Sequence, residues 1–248
     1  MVIKNKVHIK SSASARFLAI AILSTAVLSG CNTSNTQGSS VIESKVIATS
    51  VDKSNTSLKS AEDQLKLMES FKSLLGENSG IVNIIKFIDT NISQVSKENA
   101  SFLLNEFEKM QKKYLPTLED RYYKEEGIQA SLGKVYKPDF EINKIDSIED
   151  TKLKQLLVET RDSGYKLETA EGMFFPIINY EFYKKYNIYV TSDIKDYIEI
   201  MAVESNKVPA KDAALVITWD ELVNRALSQE KFITQNKNSI KLQEVKNL

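Results

Sequence analysis

The sequence predicts a mainly α-helical chain: a single domain of packed helices over 58–248 with at most a short extended segment, preceded by a leader and a tether. Three observations carry this expectation. Apolar residues return every three or four positions through most of 58–248. Helix breakers are scarce, with 8 glycines and 4 prolines in 248 residues, well under average shares of about 7% and 5%. Finally, Ser or Thr followed three positions later by Asp or Glu precedes several of the apolar runs, the spacing by which a side chain caps a helix start.

The first 30 residues are organised differently. Lys4, Lys6, Lys10 and Arg16 come with no acidic residue, and an apolar run over 17–28 follows, interrupted only by Ser24 and Thr25. As a helix that run would reach about 18 Å, short of a hydrocarbon core of about 30 Å, so it reads as a leader and not as a stable membrane span. Leu28, Ser29, Gly30 and Cys31 close it, with small side chains where a peptidase must fit the chain into its pocket. The cut is expected just before Cys31, the only cysteine in the sequence.

On those four residues and the order of charged run, apolar run and box, residues 1–31 resemble the bacterial lipoprotein precursors. The resemblance implies a diacylglycerol on the sulfur of Cys31, cleavage that makes Cys31 the first mature residue, and a membrane partner reached through that lipid. Two acyl chains at about 0.8 kcal/mol per buried CH₂ hold stably where one binds only reversibly. The chain would then sit on the extracytoplasmic face of a bacterial membrane.

Loss of the leader removes four of 33 basic residues and no acidic ones, leaving 29 against 33 and a net charge of −4. That mild acidity gives no basic surface for nucleic acid. The single histidine, His8, leaves with the leader. What remains has no imidazole and no thiol beyond Cys31, which excludes Ser/His/Asp and Cys/His nucleophilic schemes and His- or Cys-ligated zinc. No glycine-rich phosphate loop or EF-hand loop is present, so no metal and no cofactor is expected. Ser-x-x-Lys, a spacing that can mark a lysine-activated serine, occurs five times, at Ser50, Ser131, Ser163, Ser192 and Ser228, and so discriminates nothing.

From 32 to 57, 16 of 26 residues are Ser, Thr, Asn, Gln or Gly with no aromatic, which reads as a flexible tether. Ser60 with Asp63 begins the first helix, Leu65, Met68, Phe71 and Leu75 share one face, and Gly76 is placed as a left-handed C-terminal residue. A second helical pattern runs through Ile81, Ile84, Ile85, Ile88, Ile92 and Val95. The third spans 97–115 on Ala100, Leu103, Leu104, Phe107, Met110 and Tyr114, with Pro116 after it and a separate short helix over 117–126 closed by Gly127. Pattern is weak from 128 to 145. Ser147 with Asp150 then caps a helix carrying Leu153, Leu156 and Leu157 that ends at Gly164.

Residues 165–189 hold eight of the 21 aromatics. Tyr165, Leu167 and Thr169 alternate with Lys166 and Glu168, the period of a short strand or extended loop, and Gly172 with Pro176 punctuates the turn into the next helix. Two readings stand for this segment. In one, Phe174, Phe175, Tyr180 and Tyr183 form a platform for a sugar or peptide, with Glu168 and Glu171 as polar contacts or an acid/base pair. In the other, which is favoured because large aromatics are usually buried, they are core with two surface or capping glutamates.

Ser192 and Asp193 start a helix facing inward through Ile194, Tyr197, Ile198, Met201 and Ala202. Thr218 and Glu221 have capping-box spacing ahead of a row of Leu222, Ala226, Gln229 and Ile233, with the single tryptophan, Trp219, expected to pack. A terminal turn or two carries Ile240, Leu242, Val245 and Leu248. This last helix pair resembles one unit of the tetratricopeptide-like tails of some bacterial lipoproteins. Taken together, the sequence suggests a lipid-anchored envelope adaptor or binding module without catalytic activity, presenting helical faces or a groove to a protein, peptide or glycan. A carboxylate-dependent cell-wall glycan hydrolase and a solute-binding lipoprotein remain as alternatives.

Overall fold

Ser60 opens the first helix as its spacing predicts: its Oγ accepts from the amide of Asp63 at 3.2 Å and donates to Asp63 Oδ2 at 2.7 Å. The computed structural model of the protein describes residues 58–76, 79–136, 142–211 and 213–248. The leader, Leu28, Ser29, Gly30, Cys31 and the tether lie outside the described residues. Helix α1 (Ala61–Gly76) buries Leu67, Met68 and Phe71. Leu65, expected on that face, is 60% exposed, and Gly76 ends the helix without adopting positive φ.

Helix α2 (Ile81–Asn91) and the 3₁₀ turn after it (Ile92–Gln94) bury Ile81, Ile84, Ile85, Ile88 and Ile92, a stripe that Val95 completes. Gln64 joins the starts of α1 and the third helix. Its Oε1 accepts from the Ser96 amide at 2.8 Å and from Asn99 Nδ2 at 2.9 Å.

Helix α3 (Lys97–Lys124) runs straight past the expected break, carrying Pro116 inside it. A proline there forfeits one backbone hydrogen bond and costs about 3 kcal/mol. Beyond it Leu118 and Tyr122 are completely buried, each worth roughly 1.5–3 kcal/mol, and the Tyr122 hydroxyl meets Thr160 Oγ1 at 2.6 Å. Burial therefore outweighs the proline, and one helix stands where two were expected. Gly127, at φ 84, then turns the chain into α4 (Ile128–Val135), a helix the weak pattern there did not announce.

Asp150, not Ser147, caps α5 (Thr151–Asp162), accepting from the Leu153 amide at 3.1 Å, while Ser147 Oγ donates to the Lys144 carbonyl. Gly164, at φ 76, redirects the chain into an antiparallel hairpin of β1 (Tyr165–Ala170) and β2 (Met173–Ile178). Glu171 and Gly172 both have positive φ, 51 and 74, as a two-residue type I′ turn requires. The glycine thus makes a strand-to-strand turn, and Pro176 lies within β2 opposite Leu167 instead of leading into a helix. A further short helix, α6 (Tyr180–Tyr183), precedes α7 (Ser192–Asn206). A two-residue hairpin, β3 (Ala210–Lys211) with β4 (Ala214–Leu215), leads to α8 (Trp219–Gln235) and α9 (Leu242–Lys246). The fold is mainly α, with two small antiparallel strand pairs among the described residues.

The hairpin packs on α3, α7 packs between α6 and α8, and α9 sits on α8. At their common centre lies a buried polar network. Glu108 on α3 is met by Lys241 Nζ at 2.6 Å and Lys112 Nζ at 2.8 Å, Tyr180 donates to it at 2.6 Å, and the Tyr197 hydroxyl shares its one proton between Glu108 at 2.6 Å and Glu244 at 2.7 Å. Burial alone would raise this carboxyl, but the charges of Lys241 and Lys112 outweigh it and hold Glu108 below its ordinary value. One turn on, Gln111 binds the carbonyl of Ser163 at 2.7 Å through Nε2 and accepts from the Tyr183 hydroxyl.

On α8 the buried row is Leu222, Arg225, Gln229, Phe232 and Ile233 at least in part, while Ala226 faces solvent and Trp219 is 73% exposed, contrary to its expected packing. Among the described residues no helix is long and apolar enough to cross a membrane.

Candidate functional site

The β1–β2 register sorts the aromatic segment into two faces. Tyr165, Leu167 and Thr169 stand opposite Ile178, Pro176 and Phe174, and this side turns inward. Lys166, Glu168 and Ala170 stand opposite Ile177, Phe175 and Met173, and this side turns outward.

The outward face floors an open hollow of about 450 Å³ whose lining includes Tyr123, Glu168, Glu171, Met173, Phe175 and Lys211. Of the six residues singled out in the sequence, Glu168, Glu171 and Phe175 are brought together here. Phe174, Tyr180 and Tyr183 are not: they are 8%, 4% and 2% exposed and belong to the core. Their alternation or helical phase faces them away from solvent, and Phe107 stacks on Tyr183 with ring centroids 5.2 Å apart. As an exposed platform those three are therefore ruled out.

The two glutamates also differ in state. Glu168 accepts from Lys211 Nζ at 2.5 Å and from the Thr169 amide at 2.7 Å. Glu171 stands exposed at the tip of the turn. An acid/base pair needs one carboxyl in an apolar setting that favours its protonated form, whereas Glu168 is occupied by a lysine and a backbone N–H. The hollow offers apolar surface beside a neutralised ion pair. Exposed Tyr123 and Met173 add to it.

A second hollow of about 380 Å³ adjoins the first, sharing Glu168, Val208 and Lys211, and is further lined by Lys166, Leu167 and Lys207. Lys166 Nζ donates to Asn206 Oδ1 at 2.7 Å and forms no ion pair among the described residues. Burial lowers this ammonium below its ordinary value, more than the neighbouring Glu168 and Glu181 raise it.

Sequence reasoning did not reach Tyr123, Lys211 or Lys166. The alternation that placed Glu168 outward places Lys166 on the same face, so that residue was within reach. Tyr123 and Lys211 arrive from α3 and β3, 45 and 43 residues from Glu168, and no local pattern points to them.

A larger hollow, about 570 Å³, lies between α7 and α8 with Arg225 in its lining. Its guanidinium is already committed to Glu204 at 2.9 Å, Glu221 at 2.5 Å and the Lys207 carbonyl at 2.8 Å. Size does not make it the better candidate, because two carboxylates already neutralise its buried cation, although the Arg225 Nε is left without a partner among the described residues. Among the described residues no group of three or more His, Cys, Asp or Glu side chains is placed to hold a metal. Comparison with protein-family models, with curated proteins and with solved structures found no match to this chain.

Proposed function

We propose that the protein is a lipid-anchored adaptor or binding module of the bacterial envelope, held on the extracytoplasmic face by acyl chains on Cys31 and presenting the outward face of the β1–β2 hairpin to a partner. The anchor rests on the lipobox-type sequence of residues 28–31. The binding role rests on one observation: Tyr123, Met173 and Phe175 line an open hollow whose inner carboxylate, Glu168, is already paired with Lys211. Apolar and aromatic side chains beside a neutralised charge favour contact with a partner over proton transfer.

The hydrolase reading keeps one supporting fact, that Glu168 and Glu171 line the same hollow. A photo-crosslinking amino acid separates the two. With benzoylphenylalanine at position 123, native membranes should yield a discrete adduct that the same label at Lys109, on an exposed part of α3, does not give. Mass spectrometry of the membrane form should find Cys31 diacylated. Cleavage of wall polymer that Glu171→Gln abolishes, without any adduct from position 123, would replace this reading by the enzyme.

A further inference from the structure

The hairpin's hydrogen-bond phase leaves one residue of strand edge facing the second hollow. Asn179 donates to the Gly164 carbonyl at 3.0 Å, so with the observed register the pairs 166–177, 168–175 and 170–173 exchange bonds across the hairpin. Residues 165, 167 and 169 then aim their amides and carbonyls outward. Thr169 is already served, its amide by Glu168 and its carbonyl by Lys211 at 3.1 Å. On the opposite edge Gln129 serves Phe174 in the same way, bonding its amide at 2.9 Å and its carbonyl at 2.8 Å, and Pro176 has no amide to serve. Leu167 has neither device, and no bond from a described residue reaches its amide or carbonyl.

Charge sorts what could pair there. The hollow beside Leu167 holds Lys166, Lys207 and Lys211 against Glu168. Lys211 and Glu168 cancel, and Lys207 is matched by Glu221 at 2.9 Å. Lys166 keeps only the amide oxygen of Asn206. From this placement we propose that an acidic peptide segment adds to the β1 edge, exchanging main-chain hydrogen bonds with Leu167 and setting a carboxylate on Lys166. The idea rests on the hairpin face being the binding face and names its ligand class. A peptide supplies both the N–H/C=O pair and the anion, as in other edge-addition modes. A doubly charged phosphate supplies no such pair and would be repelled more strongly by Glu168. Burial that disfavours the bare ammonium of Lys166 supports the same choice, since a charge-assisted bond to a carboxylate offsets that penalty.

The test uses the full chain and labelled, end-capped tetraglutamate, followed by fluorescence anisotropy. Tetraglutamate should bind, tetraglutamine should bind at least about tenfold more weakly, Lys166→Gln should weaken tetraglutamate by about tenfold or more, and Lys166→Arg should retain most of the affinity. An N-methylated tetraglutamate, which cannot donate from its main chain, should lose binding while the protein itself is unaltered. No binding by tetraglutamate, equal binding to Lys166→Gln, equal binding of the N-methylated probe, or full competition by glutarate would each overturn the inference. Such a failure with the adduct at position 123 intact leaves the adaptor reading standing, whereas loss of that adduct removes both.

Discussion

Lys241 Nζ lies 2.6 Å from Glu108 Oε2, with the two side chains only 2% and 3% exposed, so an ion pair closes the interior between α3 and the C-terminal end of the chain. Lys241 also lies over the Tyr197 ring, 4.8 Å from its centroid. Removing Lys241 takes away the fully buried counter-charge of Glu108 and leaves it the half-exposed Lys112 alone, so Lys241→Met should destabilise the fold by up to about 3–5 kcal/mol. The double variant with Glu108→Leu should recover a large share of that loss, which urea unfolding of the two single variants and the double would measure.

Acid should weaken the same region. Burial pushes the Glu244 carboxyl up, but hydrogen bonds from Lys112 and Tyr197 and the charge of Lys241 prevail and bring it down to about 2. A carboxylate depressed in the folded state contributes stability that is fully present above its unfolded value. That contribution fades as pH falls from about 4.5 toward about 2. Glu244→Gln should lower stability at neutral pH and flatten this acid limb, as read from unfolding free energies at successive pH values. An unchanged slope between those pH values would contradict the network.

Gly164 has no room for a side chain. At φ 76, an added Cβ would sit 2.7 Å from Gln111 Nε2 and 3.3 Å from Phe182 Cδ1. Backbone strain of about 1–2 kcal/mol and displacement of a buried amide worth about 1–3 kcal/mol add to a loss of about 2–5 kcal/mol for Gly164→Ala. Chemical denaturation gives the number directly.

Glu171 points the other way. It holds φ 51 in the hairpin turn, a conformation asparagine adopts more readily. Glu171→Asn should therefore raise stability by up to about 1 kcal/mol, visible as a higher thermal midpoint.

Trp219, at 73% exposure, provides an optical check. Its emission should match that of indole in water and be freely quenched by acrylamide, and Trp219→Ser should change stability by less than about 0.5 kcal/mol. Blue-shifted, protected emission would show the ring covered.

Several parts of this architecture were legible in the residue pattern, and the reasons differ. The apolar stripe of α2 and the turn after it read correctly because five isoleucines and Val95 keep one helical phase and all six positions are buried. The caps at Ser60 and Thr218 read correctly because the interaction is local; Thr218 Oγ1 accepts from the Glu221 amide at 3.1 Å. The continuation of α3 through Pro116 did not, since what holds it is Tyr122 meeting Thr160, 38 residues away. Helix α4 buries only Ile128 and Leu132, too few apolar positions to announce a period. At the candidate site, strand alternation revealed Glu168, while Phe174, Tyr180 and Tyr183 show that aromatic density alone does not tell lining from core. No local pattern marks Arg225 and Lys241 as buried: they sit inside because each meets a counter-charge from another part of the chain.

The pairing of Glu108 with Lys241 spans 133 positions. Within α3 the Glu108 carboxylate can meet Lys112 unaided, but its second ammonium has to be brought in from the segment that follows α8. The interior therefore holds its full set of opposing charges only when residues far apart in the chain have docked on one another, so loosening the segment around Lys241 should be felt on α3.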